Sequence, residues 1–330
     1  MHAWRCDEPT GVAGLRWLEA QTPAPGPGQV RVAIRAASLN FPDLLVVQGK
    51  YQFKPTPPFV PGAEFAGVVD AVGEGVTQFA VGQPVMSVAV TGAFATHACV
   101  AAGQLVPVAP GMPFEDAAAF LMTYATSYHG LIDRAALQGG ETVLVLGAAG
   151  GVGTAAVQIA KAAGARVIAA VSTDEKMDLC RSIGADDAVN YTTSNLRDAV
   201  KTLTAGRGPD VVYDPVGGPL AEPAFRSIAW RGRYLVVGFA DGTIPSLPLN
   251  LPLLKGASIV GVFWGEFVRR EPQAFARGVA ELAGWYRDGR VKPVLDCVLP
   301  MERLIEAFAR MSSRRALGKI VLVNPAGAPS

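Results

Sequence analysis

Several features are scarce in this chain of 330 residues, and each scarcity removes a class of function. Charged residues make up 17% of it, and 29 basic against 28 acidic residues leave a net charge of +1. No basic excess is available for nucleic acid or for an anionic membrane surface as the main partner. Cysteine is scarce as well. Cys6, Cys99, Cys180 and Cys297 stand singly and no C-x-x-C occurs, so neither a zinc knuckle nor a redox dithiol is supported. Buried free thiols in a reducing cytoplasm are the expectation. Met1–Leu15 lacks the basic region and apolar run of a secretion signal. Thr142–Ala160 carries no charge and is long enough for a bilayer helix. Its cluster Gly147, Gly150, Gly151 and Gly153 behind "TVLVL" reads instead as strand, tight turn and helix.

What is abundant is apolar material. Half the residues are hydrophobic, and the length favours two domains with cores of ordinary size. Up to about residue 120, short β-like runs ("QVRVAIRAASL", "FAGVVDAVG", "GQPVMSVAV") are punctuated by Gly and Pro, which suggests a compact, mostly β domain. From Gly139 the rhythm changes. Apolar strands ("TVLVLG", "ARVIAAV", "DDAVNY", "DVVYDPV", "RYLVVGF", "SIVGVFW") alternate with amphipathic helical patterns. This is the pattern of an α/β fold with a doubly wound parallel sheet covered on both faces. The tail after Trp264 breaks the rhythm and is expected to pack back on the first domain.

"VLVLGAAGGVGTAAV" is the strongest single signal. In a Rossmann dinucleotide site the first glycine allows a tight turn, the second a close backbone approach to the pyrophosphate, and the third close helix–strand packing. Here those positions are Ala148, Gly150 and Gly153, so the turn Ala149–Gly153, with Gly151 and Val152 opening the helix, is the expected pyrophosphate cradle. An NAD site would carry an acid at the end of the second strand. "ARVIAAV" ends instead in Ser172–Thr173, with Lys176 shortly after and Tyr191 ending the next strand. A hydroxyl, an ammonium and a phenol there favour a 2′-phosphate, hence NADPH.

Several separated motifs in order, "LNFPDLLVVQGKY", "PGAEFAG", "GAAGGVG", "DEKMDLCRSIGAD", "VVYDPVGG", "VVGFADG" and "GKIVLV", resemble the zinc-free quinone oxidoreductase branch of the medium-chain dehydrogenases/reductases over nearly the whole chain. The resemblance implies a Rossmann domain at 124–265 and a GroES-like, mostly β catalytic domain at 1–123, completed by 266–330. Zinc members carry G-H-E where this chain has Gly62–Ala63–Glu64. Their other ligands fall at Asn40 and near Met122, which cannot form a Cys/His zinc site. Glu64, the one charge in "FVPGAEFAGVV", is therefore expected to remain as a paired structural carboxylate, and no metal is expected. By the same resemblance Asn40 and Tyr51 stand beside the nicotinamide as the catalytic polar residues, Tyr51 donating to the acceptor oxygen. Thr126, Val216, Gly238, Phe239, Phe263 and Trp264 line the cofactor, and Lys319 with Arg315 helps at the 2′-phosphate. Asp43 reads as a turn or helix cap. A tyrosine common in bacterial relatives is Leu45 here. His2, His97 and His129 have no partners at ligand or triad spacing and read as structural.

A quinone or conjugated enone spreads incoming charge over its own π-system and so needs less help from a Lewis acid than an alcohol does. The expected function is therefore NADPH-dependent, metal-free reduction of quinones or other conjugated carbonyls. The alternatives are an enone, enal or enoyl-thioester double-bond reductase and, from another class, an NADPH-binding crystallin-like or RNA-binding protein. A homodimer through Ser258–Trp264 at an exposed sheet edge is expected, with no nucleic-acid or membrane partner.

Overall fold

A computed structural model describes residues 1–324. The chain divides into two compact units, Met1–Met122 with Leu295–Ser330, and Thr123–Val294.

In the first unit, β1 (His2–Cys6) and β2 (Leu15–Glu19) form a hairpin ribbon. The main sheet uses β3 (Gln29–Ser38), β4 (Glu64–Val72), β5 (Pro84–Val88), β6 (His97–Ala101) and β7 (Leu105–Pro107). Strand β3 alternates as its sequence demands, with Val30, Val32 and Ile34 buried and the residues between them half-buried. It pairs antiparallel with both β4 and β6. The end of the chain enters this same sheet. After the strands of the second unit, β14 (Leu295–Pro300) lies parallel to β15 (Lys319–Val323), and β15 lies antiparallel to β3. A core containing Phe65, Phe94, Phe308 and Leu322 fills the space beneath, with Phe94 and Phe308 edge to face at 6.3 Å. The short helix Phe41–Val47 follows β3 directly.

The second unit carries a six-stranded parallel sheet of β8 (Thr142–Leu146), β9 (Arg166–Val171), β10 (Asp187–Asn190), β11 (Val211–Asp214), β12 (Arg233–Val236) and β13 (Ser258–Gly261) in the order β10-β9-β8-β11-β12-β13. Strand β8 is buried along its whole length, as expected where helices cover both faces. The chain winds outward from β8 to β10, then returns to β11 on the other side. The switch of direction therefore lies between β8 and β11. Strand β13 forms one edge.

The tail departs from expectation. Only from Leu295 does the chain rejoin the first unit, whereas 266–294 belongs with the parallel sheet. The reason is the amphipathic face of the helix Pro272–Arg287, whose Gly278, Val279, Leu282 and Trp285 are buried. Trp285 packs on Tyr128 at 5.8 Å, and the Tyr128 hydroxyl donates to Glu281 at 2.6 Å. Lys292 is clamped by Gln158, which accepts from its N–H at 2.7 Å and donates to its carbonyl at 2.9 Å. The thiols also differ in part: Cys6 and Cys180 are buried, but Cys99 and Cys297 are partly exposed. Among the described residues no helix is long and apolar enough to cross a membrane.

Candidate active site

The glycine-rich turn sits at the carboxyl end of β8, beside the switch in strand order, where open α/β sheets bind ligands. Gly147 has φ +58° and Gly150 caps the helix Gly151–Ala162 in an extended conformation. At Gly153 a Cβ would lie 2.3 Å from the Gly147 carbonyl oxygen and 2.7 Å from the Ala148 Cα. Glycine there is a steric requirement, as the motif implied. No side chain caps this helix start. Its first N–H groups have no intrahelical acceptor and face outward along a positive dipole end, which suits a pyrophosphate. Ala148 and Ala149 are buried in the turn. The cradle therefore fits a dinucleotide.

The residues expected near a 2′-phosphate do meet. Asn190 lies opposite Val171 in the parallel pair β9–β10, and the Tyr191 N–H donates to the Val171 carbonyl at 3.0 Å. Ser172 and Tyr191 thus end adjacent strands. The Lys176 ammonium donates to the Ser172 hydroxyl at 3.3 Å. Asp174 is turned away, accepting from the Asn190 amide at 2.8 Å. Thr192 joins the group, its hydroxyl lying 2.7 Å from the Asn190 Oδ1 and 3.2 Å from the Ser172 carbonyl. Sequence reading missed it, although it directly follows Tyr191.

Most of the remaining cofactor candidates of this unit follow the carboxyl ends of the strands of this sheet. Val216 follows β11, Gly238 and Phe239 follow β12, and Phe263 and Trp264 follow β13. Thr126 lies between two wide π turns, Leu121–Ala125 and His129–Arg134, a distortion common at functional sites. The Val216 loop is shaped by buried Asp214, which accepts from the N–H groups of Val216 and Gly217 at 2.8 Å and from the Tyr234 hydroxyl at 2.5 Å. Burial pushes the Asp214 carboxyl up, opposed by those hydrogen bonds. An Asp leading into "PVGG" was the available signal for this turn. Phe263 is exposed, whereas Trp264 is buried and its Nε1 has no partner among the described residues.

In the first unit the polar residues of interest converge beneath the helix Phe41–Val47. Glu64 is fully buried at the start of β4. One of its oxygens accepts from the Ser38 hydroxyl at 2.6 Å, the Asn40 amide at 3.1 Å and the Lys319 ammonium at 3.3 Å. The other accepts from the Met122 N–H at 2.7 Å. Glu64 is thus the paired structural carboxylate that was expected. Asp43 caps the helix start by accepting from the Asn40 N–H at 2.8 Å. Burial raises its carboxyl to about 7, against the pull of its backbone hydrogen bonds and of Lys319.

Two assignments need correction. Lys319 is buried, and its three N–H donors are matched by the Leu39 carbonyl (3.2 Å), the Asn40 Oδ1 (2.5 Å) and Glu64, so nothing remains for a 2′-phosphate. The Asn40 amide is likewise committed inward at both ends, which removes it as a hydrogen-bond donor to an acceptor molecule. Tyr51 differs: it is partly buried, packs against the core, and its hydroxyl takes no hydrogen bond from the described residues. Burial, then the nearby Asp43, raises its phenol, keeping it protonated. Its backbone N–H is anchored on the Leu45 carbonyl at 3.2 Å.

Each histidine has a partner within the chain. His2 stacks on Trp17, His97 bonds the Thr96 hydroxyl at 3.0 Å, and His129 stacks on Phe267 and bonds Asp133 at 2.9 Å. Among the described residues no group of three or more His, Cys, Asp or Glu side chains could hold a metal ion. The donor set around Glu64, an ammonium and an amide, does not fit zinc.

Comparison with known proteins agrees with this layout. Residues 26–110 match the alcohol dehydrogenase GroES-like domain, and residues 151–283 match the zinc-binding dehydrogenase family. A quinone oxidoreductase-like protein 2 homolog of Nematostella vectensis is 39% identical over 300 residues, covering 90% of this chain and 82% of its own. The quinone oxidoreductase-like protein 2 of Rattus norvegicus is 37% identical, covering 92% and 88%. A mycobacterial structure complexed with NADPH aligns with a TM-score of 0.92 at 30% identity, covering 98% of this chain and 100% of its own.

Proposed function

Because this chain belongs to the medium-chain dehydrogenase/reductase family, in its quinone oxidoreductase-like branch, we propose that it is an NADPH-dependent reductase of quinones or other conjugated carbonyls that works without a metal. The observation that carries this reading is the convergence of Gly150–Gly153, Ser172, Lys176 and Tyr191 at the carboxyl ends of β8, β9 and β10. The helix start at Gly151 holds the pyrophosphate. Ser172, Lys176, Tyr191 and Thr192 hold the 2′-phosphate, with charge-assisted bonds of roughly 1.5–3 kcal/mol each. The reduced nicotinamide, when bound, supplies the hydride. Tyr51 donates a hydrogen bond, and then the proton, to the acceptor oxygen from a hydroxyl that its surroundings keep protonated. Thr126, Gly238 and Phe239 orient the nicotinamide side of the cofactor.

Steady-state assays test this directly, with NADPH or NADH as donor and 1,2-naphthoquinone or a 2-alkenal as acceptor. NADPH is expected to be the preferred donor and the quinone the faster acceptor. Equal catalytic efficiency with the two cofactors overturns the NADPH assignment, and faster alkenal turnover moves the acceptor to the double-bond class. Activity that is lost on chelation and restored by zinc overturns the metal-free route. We also propose a homodimer through the edge strand β13. Among the described residues the strand pairs only with β12, it exposes Ser258 and Ile259, and the exposed Leu253 and Leu254 precede it closely in the chain. A monomer at all concentrations in sedimentation removes that pairing.

A further inference from the structure

We infer that Lys319 is a positioning residue for the reductase site: its buried ammonium fixes Asn40 and, through Asn40, the helix and turn that carry Tyr51. The inference rests on the acceptor role proposed above for Tyr51. It begins from a side chain in an unusual place. Lys319 opens β15 at 4% exposure, and a buried ammonium persists only where acceptors replace its water. Here three acceptors do so, and two of them, the Leu39 carbonyl and the Asn40 Oδ1, belong to the two residues immediately before the helix Phe41–Val47.

The Asn40 amide has one permissible orientation in this setting. Its oxygen faces the ammonium at 2.5 Å and its nitrogen faces the Glu64 carboxylate at 3.1 Å. Turning the amide over would set nitrogen against ammonium and oxygen against carboxylate, with both contacts repulsive. Asn40 is therefore held by charge at both ends of its amide. Its backbone N–H, donated to Asp43, starts the helix. One turn later the Leu45 carbonyl accepts from the N–H groups of both Lys50 and Tyr51, at 2.8 and 3.2 Å. The path from Lys319 to Tyr51 thus runs through Asn40, one short helix and one carbonyl, all within the first unit. No spacing rule would find it, because Lys319 and Asn40 are 279 residues apart in the chain.

A lysine of purely structural value would, on removal, lower the stability of the unit and leave the Asn40–Tyr51 segment as ordered as before. A positioning lysine releases that segment first. The test uses the full chain with Lys319→Met and Glu64→Gln together, so that the ammonium and the carboxylate bonded to it leave as a pair. Two readouts are taken: amide hydrogen exchange by mass spectrometry, and turnover of 1,2-naphthoquinone with NADPH. Exchange over residues 40–51 is expected to rise about tenfold or more while residues 142–171 stay unchanged. The kcat for quinone is expected to fall about tenfold or more with the KM for NADPH unaltered, since a misplacement of about 1 Å can cost about a hundredfold. Wild-type exchange over 40–51 in the double variant, or an unchanged kcat, overturns the inference. If the double variant does not fold, Lys319→Arg decides it. The charge is kept but the planar fork cannot place three bonds at one point, and exchange over 40–51 must still rise. If the wild-type protein reduces neither quinones nor enones, the functional reading fails, while hydrogen exchange still decides the role of Lys319.

Discussion

The two units solve the problem of a polar site by opposite means. Around Gly147–Gly153 the second unit removes side chains so that backbone N–H groups can approach a ligand, with the positive end of the helix dipole behind them. Around Glu64 the first unit packs charged side chains together, two carboxylates and one ammonium, almost wholly out of water. The first design is intolerant of added atoms. The second is intolerant of subtracted charge. Substitutions at the two places should therefore fail differently, and that contrast is what experiment can break or sharpen.

The largest effect is expected in the charged cluster. Glu64→Leu removes the carboxylate bonded to the buried Lys319 ammonium and frees the hydrogen bonds of Ser38, Asn40 and the Met122 N–H. Loss of one member of a buried ion pair costs about 3–5 kcal/mol, to be read as a lowered urea midpoint. A loss below about 1 kcal/mol would mean that the pair adds no more than an exposed one does. On the backbone side, Gly153→Ala puts a methyl 2.3 Å from the Gly147 carbonyl oxygen, and overpacking of this kind costs about 1–3 kcal/mol. Its signature should be functional. NADPH affinity, followed by fluorescence titration, should collapse, because the turn that carries the N–H groups must open. An alanine variant that binds NADPH normally would show that the cradle is not the cofactor site.

The same contrast explains what could be read from the chain. The glycine turn, the strand order around it and the triad Ser172, Lys176 and Tyr191 are local in sequence: each functional residue follows its own strand by a few positions. Periodicity and turn chemistry are enough to place them. The Glu64 cluster joins Ser38, Asn40, Glu64, Met122 and Lys319 from four separate regions of the chain. A lone buried carboxylate announced that a partner existed, but not that the partner was Lys319. The resemblance placed that lysine at a phosphate. The domain boundary failed for a related reason. The helix Pro272–Arg287 has a clear apolar face, and sequence alone does not say that Tyr128 and Gln158 are what it meets. Non-local pairing of a well-formed element is a tertiary fact.

A smaller effect should separate the two cofactors. Lys176→Met removes the ammonium that sits on Ser172 and leaves the turn at Gly150 untouched. One charge-assisted bond is worth about 1.5 kcal/mol at the low end, so KM for NADPH should rise about tenfold with that for NADH unchanged. Equal changes for both cofactors would make Lys176 a helix residue with no phosphate role, and Tyr191 and Thr192 would then need to carry the discrimination alone.

The remaining effect is a slope rather than a loss, and it probes the charged cluster without stranding a charge. Burial holds the Asp43 carboxyl at about 7 in the folded protein, against an ordinary value of 3.8. Between those values the folded chain keeps a proton that the unfolded chain has released. The unfolded state then binds fewer protons, and stability falls as pH rises. The contribution is complete below about pH 4 and is lost by about pH 7, with no further change above. Asp43→Asn keeps an oxygen for the Asn40 N–H and cannot ionise. Its stability should therefore be level across the window where the parent declines, measured as urea midpoints between pH 5 and pH 7.5. If the parent is itself level there, Lys319 is neutralising Asp43 as well as Glu64, and the cluster holds two anions on one cation. That outcome would widen the difference between the units, since the charge balance beneath Tyr51 would then rest on Lys319 alone.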